Sequence, residues 1–167
     1  MAIRILGVDP SLRCSGYGLI DVEGSRMRAV AWGIIKNKPE LSISACLLNI
    51  HRELSEKIEL WQPNQAAIEN MFFFKNPSTA IRLGEARGAV LLALSLQLPE
   101  VYGYEPRKVK QSIVGRGSAT KPQVQMMVRQ LLGLQGEKLP ADAADALAVA
   151  ICHAFAKASP VFRSEPL

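Results

Sequence analysis

Four of the fifteen acidic residues stand apart because their neighbours are apolar. Asp9 follows the apolar run 3–8, Glu69 closes a second short run at 66–69, and Asp142 and Asp145 interrupt an alanine-rich stretch. Glu53, Glu56, Glu59 and Glu137 lie instead in polar surroundings and read as solvated surface. A separation of three puts Asp142 and Asp145 on one face of a helix. If the two apolar runs are neighbouring strands and that helix crosses their ends, four carboxylates meet in one pocket. At about 4 Å and an effective dielectric of about 20, each pair repels by about 4 kcal/mol, so the group must take up protons or bind cations. An all-oxygen set favours magnesium or manganese over zinc. Two such ions about 4 Å apart activate a water on one side of a phosphodiester and neutralise the leaving oxygen on the other, so phosphoryl transfer is the chemistry these acids suit. Taken singly they have plainer roles: Asp9 before Pro10 suits a turn, and Asp142 suits a helix cap.

The elements that must position these acids follow from periodicity. Residues 3–8 are rich in branched side chains and stop at Asp9-Pro10, the pattern of a buried strand entering a turn. Residues 17–22 and 26–36 are strand-like and separated by Glu23-Gly24-Ser25, so the first three strands are expected to form an antiparallel meander. Leu47, Ile50, Leu54, Ile58 and Trp61 recur at helical intervals within 41–61, and Pro63-Asn64 ends that helix. A central strand at 66–69 follows. Asn76-Pro77 supplies a cap and a first-turn proline for a helix reaching about residue 97. Within it Gly84 and Gly88, four apart, are expected to let the helix approach the sheet closely, although each weakens an isolated helix by roughly 1 kcal/mol.

A fifth strand at 101–104, a short helix at 107–114 and a mobile loop at 115–118 come next. Thr120 and Gln123 at capping-box spacing open another helix, and an alanine-rich helix at 141–157 completes the order. No repeat or linker interrupts it. The expectation is one α/β domain over residues 1–158, with a mixed five-stranded sheet (three antiparallel strands, then two parallel) flanked by helices on both faces. A disordered tail is expected over 159–167.

The chain of 167 residues can bury a full core, and its formal charge of +5 suits an anionic partner without naming one. The distribution says more: between residues 105 and 130, Arg107, Lys108, Lys110, Arg116, Lys121 and Arg129 face the single acid Glu105. That stretch is either a phosphate-binding face or a solvated helical surface. Cys14, Cys46 and Cys152 lack metal-type spacing, so neither a disulfide framework nor a zinc site is indicated. The first residues do not read as a signal peptide, and the longest apolar stretch, 88–98, is too short to cross a bilayer, so a cytoplasmic protein with no membrane partner is expected.

The same residues carry a family likeness. Gly7-Val8-Asp9-Pro10 with Gly16-Tyr17-Gly18, then Ile68-Glu69 before Phe72-Phe73 and Lys75-Asn76, then the stretch from Leu83 to Gly88, Val109-Lys110-Gln111, and finally the stretch from Asp142 to Ala148, resemble in order the motifs of the RuvC family of Holliday-junction resolvases. The likeness runs from about residue 3 to 156, and the element order resembles the RNase H-like fold of that family. It implies a magnesium-dependent endodeoxyribonuclease acting in recombination and repair as a homodimer, each subunit nicking one of two opposed strands at a four-way junction, and working with the branch-migration proteins RuvA and RuvB. By the resemblance, Asp9, Glu69, Asp142 and Asp145 match the catalytic metal-binding acids, with two magnesium ions per subunit, manganese as a substitute, and Asp9 bridging. Phe72 matches an aromatic that contacts bases near the junction centre, and Lys110 and Lys121 match basic residues near the scissile phosphate. Arg107, Lys108 and Arg116 belong to the expected DNA-binding face. Two positions depart from the family pattern: Ser11 stands where glycine is frequent, and Phe74 replaces a small residue beside Lys75.

Three other readings remain open at this stage. An RNase H-like nuclease acting on structured RNA would use the same acids. An actin-like nucleotide-binding protein shares Gly7-Val8-Asp9 followed by Gly16, but needs a second domain that this length does not supply. A junction-binding subunit without catalysis would use the basic stretch and leave the acids as helix caps.

Overall fold

The structure is a computed structural model and describes residues 2–70, 76–158 and 165–167. The three antiparallel strands are β1 (Ile3–Asp9), β2 (Cys14–Glu23) and β3 (Arg26–Lys36). β4 (Gln65–Glu69) lies parallel to β1, and β5 (Val101–Tyr104) parallel to β4, giving the sheet order β3-β2-β1-β4-β5. The helices are α1 (Ile43–Trp61), α2 (Pro77–Ser95), α3 (Pro106–Val114), α4 (Lys121–Leu132) and α5 (Ala141–Ala158). This is the mixed sheet and element order that the sequence predicts.

Strand alternation divides the core into two layers. Leu6, Val8, Ala66 and Ile68 pack with α1 and α2, whereas Ile5 and Ala67 pack with α3, α4 and α5. Because β1 and β4 are covered on both faces, they read as continuous apolar runs rather than alternating ones. Asn76 caps α2 by accepting from the Ser78 amide at 3.0 Å. Gln123 reaches back to the Thr120 amide at 2.9 Å, the capping-box contact expected for α4.

Two expectations need correction. β2 begins at Cys14, three residues before the expected start, and pairs there with Lys36. Ser15 hides this extension in the sequence: it is a polar residue, but it is fully buried because its hydroxyl donates to the Ser11 carbonyl at 2.6 Å and accepts from the Ser11 amide at 3.0 Å. Ser11 itself is not among the positive-φ residues, so the turn after β1 does not require glycine there. The second correction concerns glycine. Gly88 is exposed and a Cβ there would meet nothing within 4 Å, so it gives α2 no close approach to the sheet.

The close approach belongs to α5. A Cβ at Gly18 would stand 2.6 Å from the Leu147 side chain, and at Gly7 and Gly16 it would strike the backbone carbonyls of Ala146 and Asp142. Bare backbone on β1 and β2 therefore lets α5 lie directly on the sheet. Gly16→Ala is expected to cost at least about 1–3 kcal/mol, the scale of overpacking a tight core, because the obstacle is helix backbone. Urea denaturation measures it, and an unchanged midpoint would contradict this close contact.

The chain returns to the sheet at its last residues: the Leu167 amide donates to the Val101 carbonyl at 2.8 Å, and Pro166 bridges to Tyr102. They lie along β5, the outermost strand on that side of the sheet. No helix among the described residues is long and apolar enough to cross a membrane.

Candidate active site

The parallel pairing of β1 with β4 sets Val8 beside Ile68, so the next residues, Asp9 and Glu69, leave the sheet side by side. Gly7 and Ala67 face the α5 layer, and alternation by two sends Asp9 and Glu69 to that same face. Asp9 is paired across the ladder with Gly16, on which the Asp142 backbone rests. The missing Cβ of Gly16 thus sets the first turn of α5 next to the end of β1. One carboxylate oxygen from each of Asp9, Asp142 and Asp145 lies within 4.8 Å of the others.

Glu69 is outside that group of three but inside the same field. Burial, then the charges of Glu69, Asp145 and Asp142, push the Asp9 carboxyl up to about 8. Burial and then Asp145 push Glu69 up to about 7, against the pull of Lys121 and Lys110. Lys121 is the cation that answers this charge most directly: its Nζ lies 2.5 Å from Asp145 Oδ2, and that hydrogen bond raises its own pKa. Lys110, Lys121, Glu69 and Asp145 line one face of a cavity of about 140 Å³, closed on its apolar side by Val109, Val124 and Ala148.

Such a site fits a divalent cation. Three carboxylate oxygens converge, burial and mutual repulsion raise the pKa of Asp9 and Glu69, and among the described residues the cations acting on these two acids are Lys121 and Lys110. Proton uptake is one way to relieve that repulsion, and a hard cation bound by oxygen is the other.

The remaining basic residues are spread more widely. Lys108 lies over the Tyr104 ring, 5.5 Å from its centroid, while Arg107 and Arg116 are exposed near the turn that leaves α3. Phe72, expected to meet bases, and Phe74 lie outside the described residues. His153 is a core residue: Nδ1 lies 2.7 Å from the Tyr104 hydroxyl and Nε2 3.1 Å from Gln65 Oε1, and burial lowers it to about 4. It is neutral at pH 7 with both nitrogens engaged.

One neighbour of the acids was not legible. The Cys14 thiol is pushed up to about 11, first by burial and then by its hydrogen bond to Asp142. It shares the α5 face with Gly16 and Gly18, a position that strand alternation reveals only when β2 is known to begin at residue 14.

Comparison with known proteins places this geometry in a family. The family described as crossover junction endodeoxyribonuclease RuvC matches over residues 5–153. A relative of that name from Caldicellulosiruptor saccharolyticus is 43% identical over 98% of this chain and 99% of its own, and one from Bordetella avium is 48% identical over 91% and 83%. Among solved structures, Thermus thermophilus RuvC in complex with a Holliday junction substrate superimposes with a TM-score of 0.89 at 34% identity, covering 99% of both chains. The yeast mitochondrial Holliday junction resolvase Ydc2, with a TM-score of 0.64 over 90% of this chain and 78% of its own, is 14% identical and shows a shared fold.

Proposed function

This chain belongs to the RuvC family of crossover junction endodeoxyribonucleases, and on that premise we propose that it resolves Holliday junctions by paired symmetric nicks, through magnesium-dependent phosphodiester hydrolysis, in homologous recombination and DNA repair. The observation that carries this reading is the meeting of Asp9, Asp142 and Asp145 within 4.8 Å beside a cavity lined by two lysines. Acids alone would repel a phosphodiester. Lysines beside them attract it, and an acid cluster that needs cations tolerates it.

Asp9, Glu69, Asp142 and Asp145 are the residues that would hold two Mg²⁺ ions, with Mn²⁺ as a substitute. When bound, these cations supply a water acidic enough to attack phosphorus and positive charge for the leaving oxygen. The protein's own part is to hold oxygens on three rigid elements, β1, β4 and α5, so that little reorganisation is needed on binding. Lys110 and Lys121 steer the scissile phosphate into the cavity, and Lys121 releases Asp145 as it does so. Arg107, Lys108 and Arg116 extend the phosphate contacts, and Phe72 meets bases near the junction centre. Two symmetric cuts require two sites related by a twofold axis, which is the reason to infer a homodimer. The family resemblance supports a cytoplasmic enzyme working alongside RuvA and RuvB.

Lys110→Ala is expected to weaken junction binding most at low salt and to reduce the slope of log K against log salt by about one, the signature of one lost phosphate contact. Fluorescence anisotropy titrations over a salt series would show it, and an unaltered slope would remove Lys110 from the DNA path. The reading as a whole is tested by offering the purified chain a synthetic four-way DNA junction and a structured RNA in magnesium. Paired nicks in the junction alone support it; cleavage of the RNA with an intact junction would replace it with an RNA-processing activity.

A further inference from the structure

Arg87 is the one described residue with a buried polar side-chain atom, Nε, that has no hydrogen-bond partner. Burial lowers its pKa, and no carboxylate is paired with it among the described residues. A half-buried guanidinium without a counter-charge is costly, and such groups in folded proteins call for a reason. Its one hydrogen bond among the described residues gives that reason: Nη2 donates to Asn70 Oδ1 at 2.9 Å.

Asn70 directly follows Glu69. Its backbone amide donates to the Tyr104 carbonyl at 2.8 Å, which carries the β4–β5 ladder one rung past the end of β4. Its side chain lies over Gly103, where a Cβ would stand 2.7 Å from Nδ2. Strand alternation explains the layout. Ile68 packs with α1 and α2 while Ala67 packs with the α5 layer, so Asn70 projects toward α2 and Glu69 toward the acids. Holding Asn70 on one face therefore decides where Glu69 points on the other.

We propose that Arg87 is a positioning residue, which pins Asn70 over Gly103 from α2 and thereby aims Glu69 at the carboxylate cluster on the opposite face of the sheet. The inference rests on the proposed metal-binding role of Glu69 and adds a residue that touches neither DNA nor cation. Loss of a group that orients a metal ligand typically costs 10- to 100-fold in metal affinity or activity. Lysine at position 87 keeps the charge but loses the planar fork, so it restores the contact only in part.

The test compares Arg87→Ala, Arg87→Lys, Asn70→Ala and the Arg87→Ala/Asn70→Ala double variant in the full chain. Manganese binding without DNA, followed by electron paramagnetic resonance, is read beside junction cleavage and thermal unfolding. Arg87→Ala and Asn70→Ala are each expected to weaken Mn²⁺ binding by roughly tenfold or more, Arg87→Lys by less, and the double variant by no more than the worse single one. Additive losses, or Mn²⁺ affinity equal to the parent's in a folded Asn70→Ala protein, would overturn the proposal. If Arg87→Ala does not fold, Asn70→Ala decides alone. Failure of the unaltered protein to cut a junction, with Mn²⁺ binding still dependent on Arg87, would count against the junction activity and leave the positioning role standing.

Discussion

Asp9→Asn is expected to reduce cleavage of a four-way junction by at least about a thousandfold while junction binding survives in calcium or without metal. Removal of a single group that stabilises transition-state charge already costs roughly 10²- to 10³-fold in other hydrolytic sites. Asp9 does more than one such group, because it stands at the end of β1 beside Asp142 and Asp145, where charge is most concentrated. Asparagine keeps the shape and one carbonyl oxygen but loses the negative charge that draws a cation. Binding is expected to survive because the basic residues proposed to face DNA, Lys110 beside the acids first among them, are untouched. Single-turnover cleavage and gel-shift assays on the same junction separate the two effects. Undiminished cutting would exclude Asp9 as a metal ligand, and loss of both activities together would point to a damaged fold.

The second large effect is on stability, and its sign follows from the raised acids. Asp9 holds its proton up to about pH 8 in the folded chain, well above the ordinary aspartate range, and Glu69 up to about 7, above the ordinary glutamate range. Between the lower and upper values the folded state binds protons that the unfolded state has lost, so stability from these groups is full at low pH and is lost as pH rises through the folded values. His153 acts in the opposite direction below about 6.5, the ordinary imidazole value, because its folded value is about 4. The clean window is therefore about pH 6.5 to 8, where metal-free protein is expected to lose stability with rising pH.

Magnesium reverses this by binding the ionised acids. A ligand present at about a hundred times its Kd adds roughly 2.7 kcal/mol, and the gain should be larger at pH 8 than at pH 6.5, where the cation competes with protons. In Asp9→Asn both effects shrink: the metal-free protein is more stable than the parent at pH 8, and magnesium raises its Tm little. Calorimetric scans in chelator and in magnesium at the two pH values check this. Metal-free stability that climbs from pH 6.5 to 8, or an undiminished magnesium shift in the variant, would contradict the coupling of these carboxylates.

Much of this is legible in the sequence. β1 and β4 announce themselves as short apolar runs, and an acid at the end of such a run is conspicuous because burial normally excludes it. Asp142 and Asp145 are conspicuous for the same reason in α5. What the sequence hid depends on contacts between distant segments. Ser15 is polar and lies ahead of the expected strand, yet it is buried within β2, where its hydroxyl closes on Ser11 in the preceding turn, and that masking moved the expected start of the strand and concealed Cys14. Gly7, Gly16 and Gly18 matched a motif, but the reason for them is a helix more than a hundred residues later in the chain. Gly88, by contrast, suggested close packing through spacing alone and meets open space. Asn70 and Arg87 could not be paired by inspection, since neither periodicity nor charge pattern links a strand exit to the middle of a helix.

Crystals soaked in manganese and measured at its absorption edge would test the metal centre most directly. Anomalous density is expected within coordination distance of Asp9, shared with Asp142 and Asp145 or with Glu69, and absent from Asp9→Asn crystals treated in the same way. Density confined to other parts of the surface, with the four acids bare in a protein that still cuts junctions, would show that the chemistry is done elsewhere.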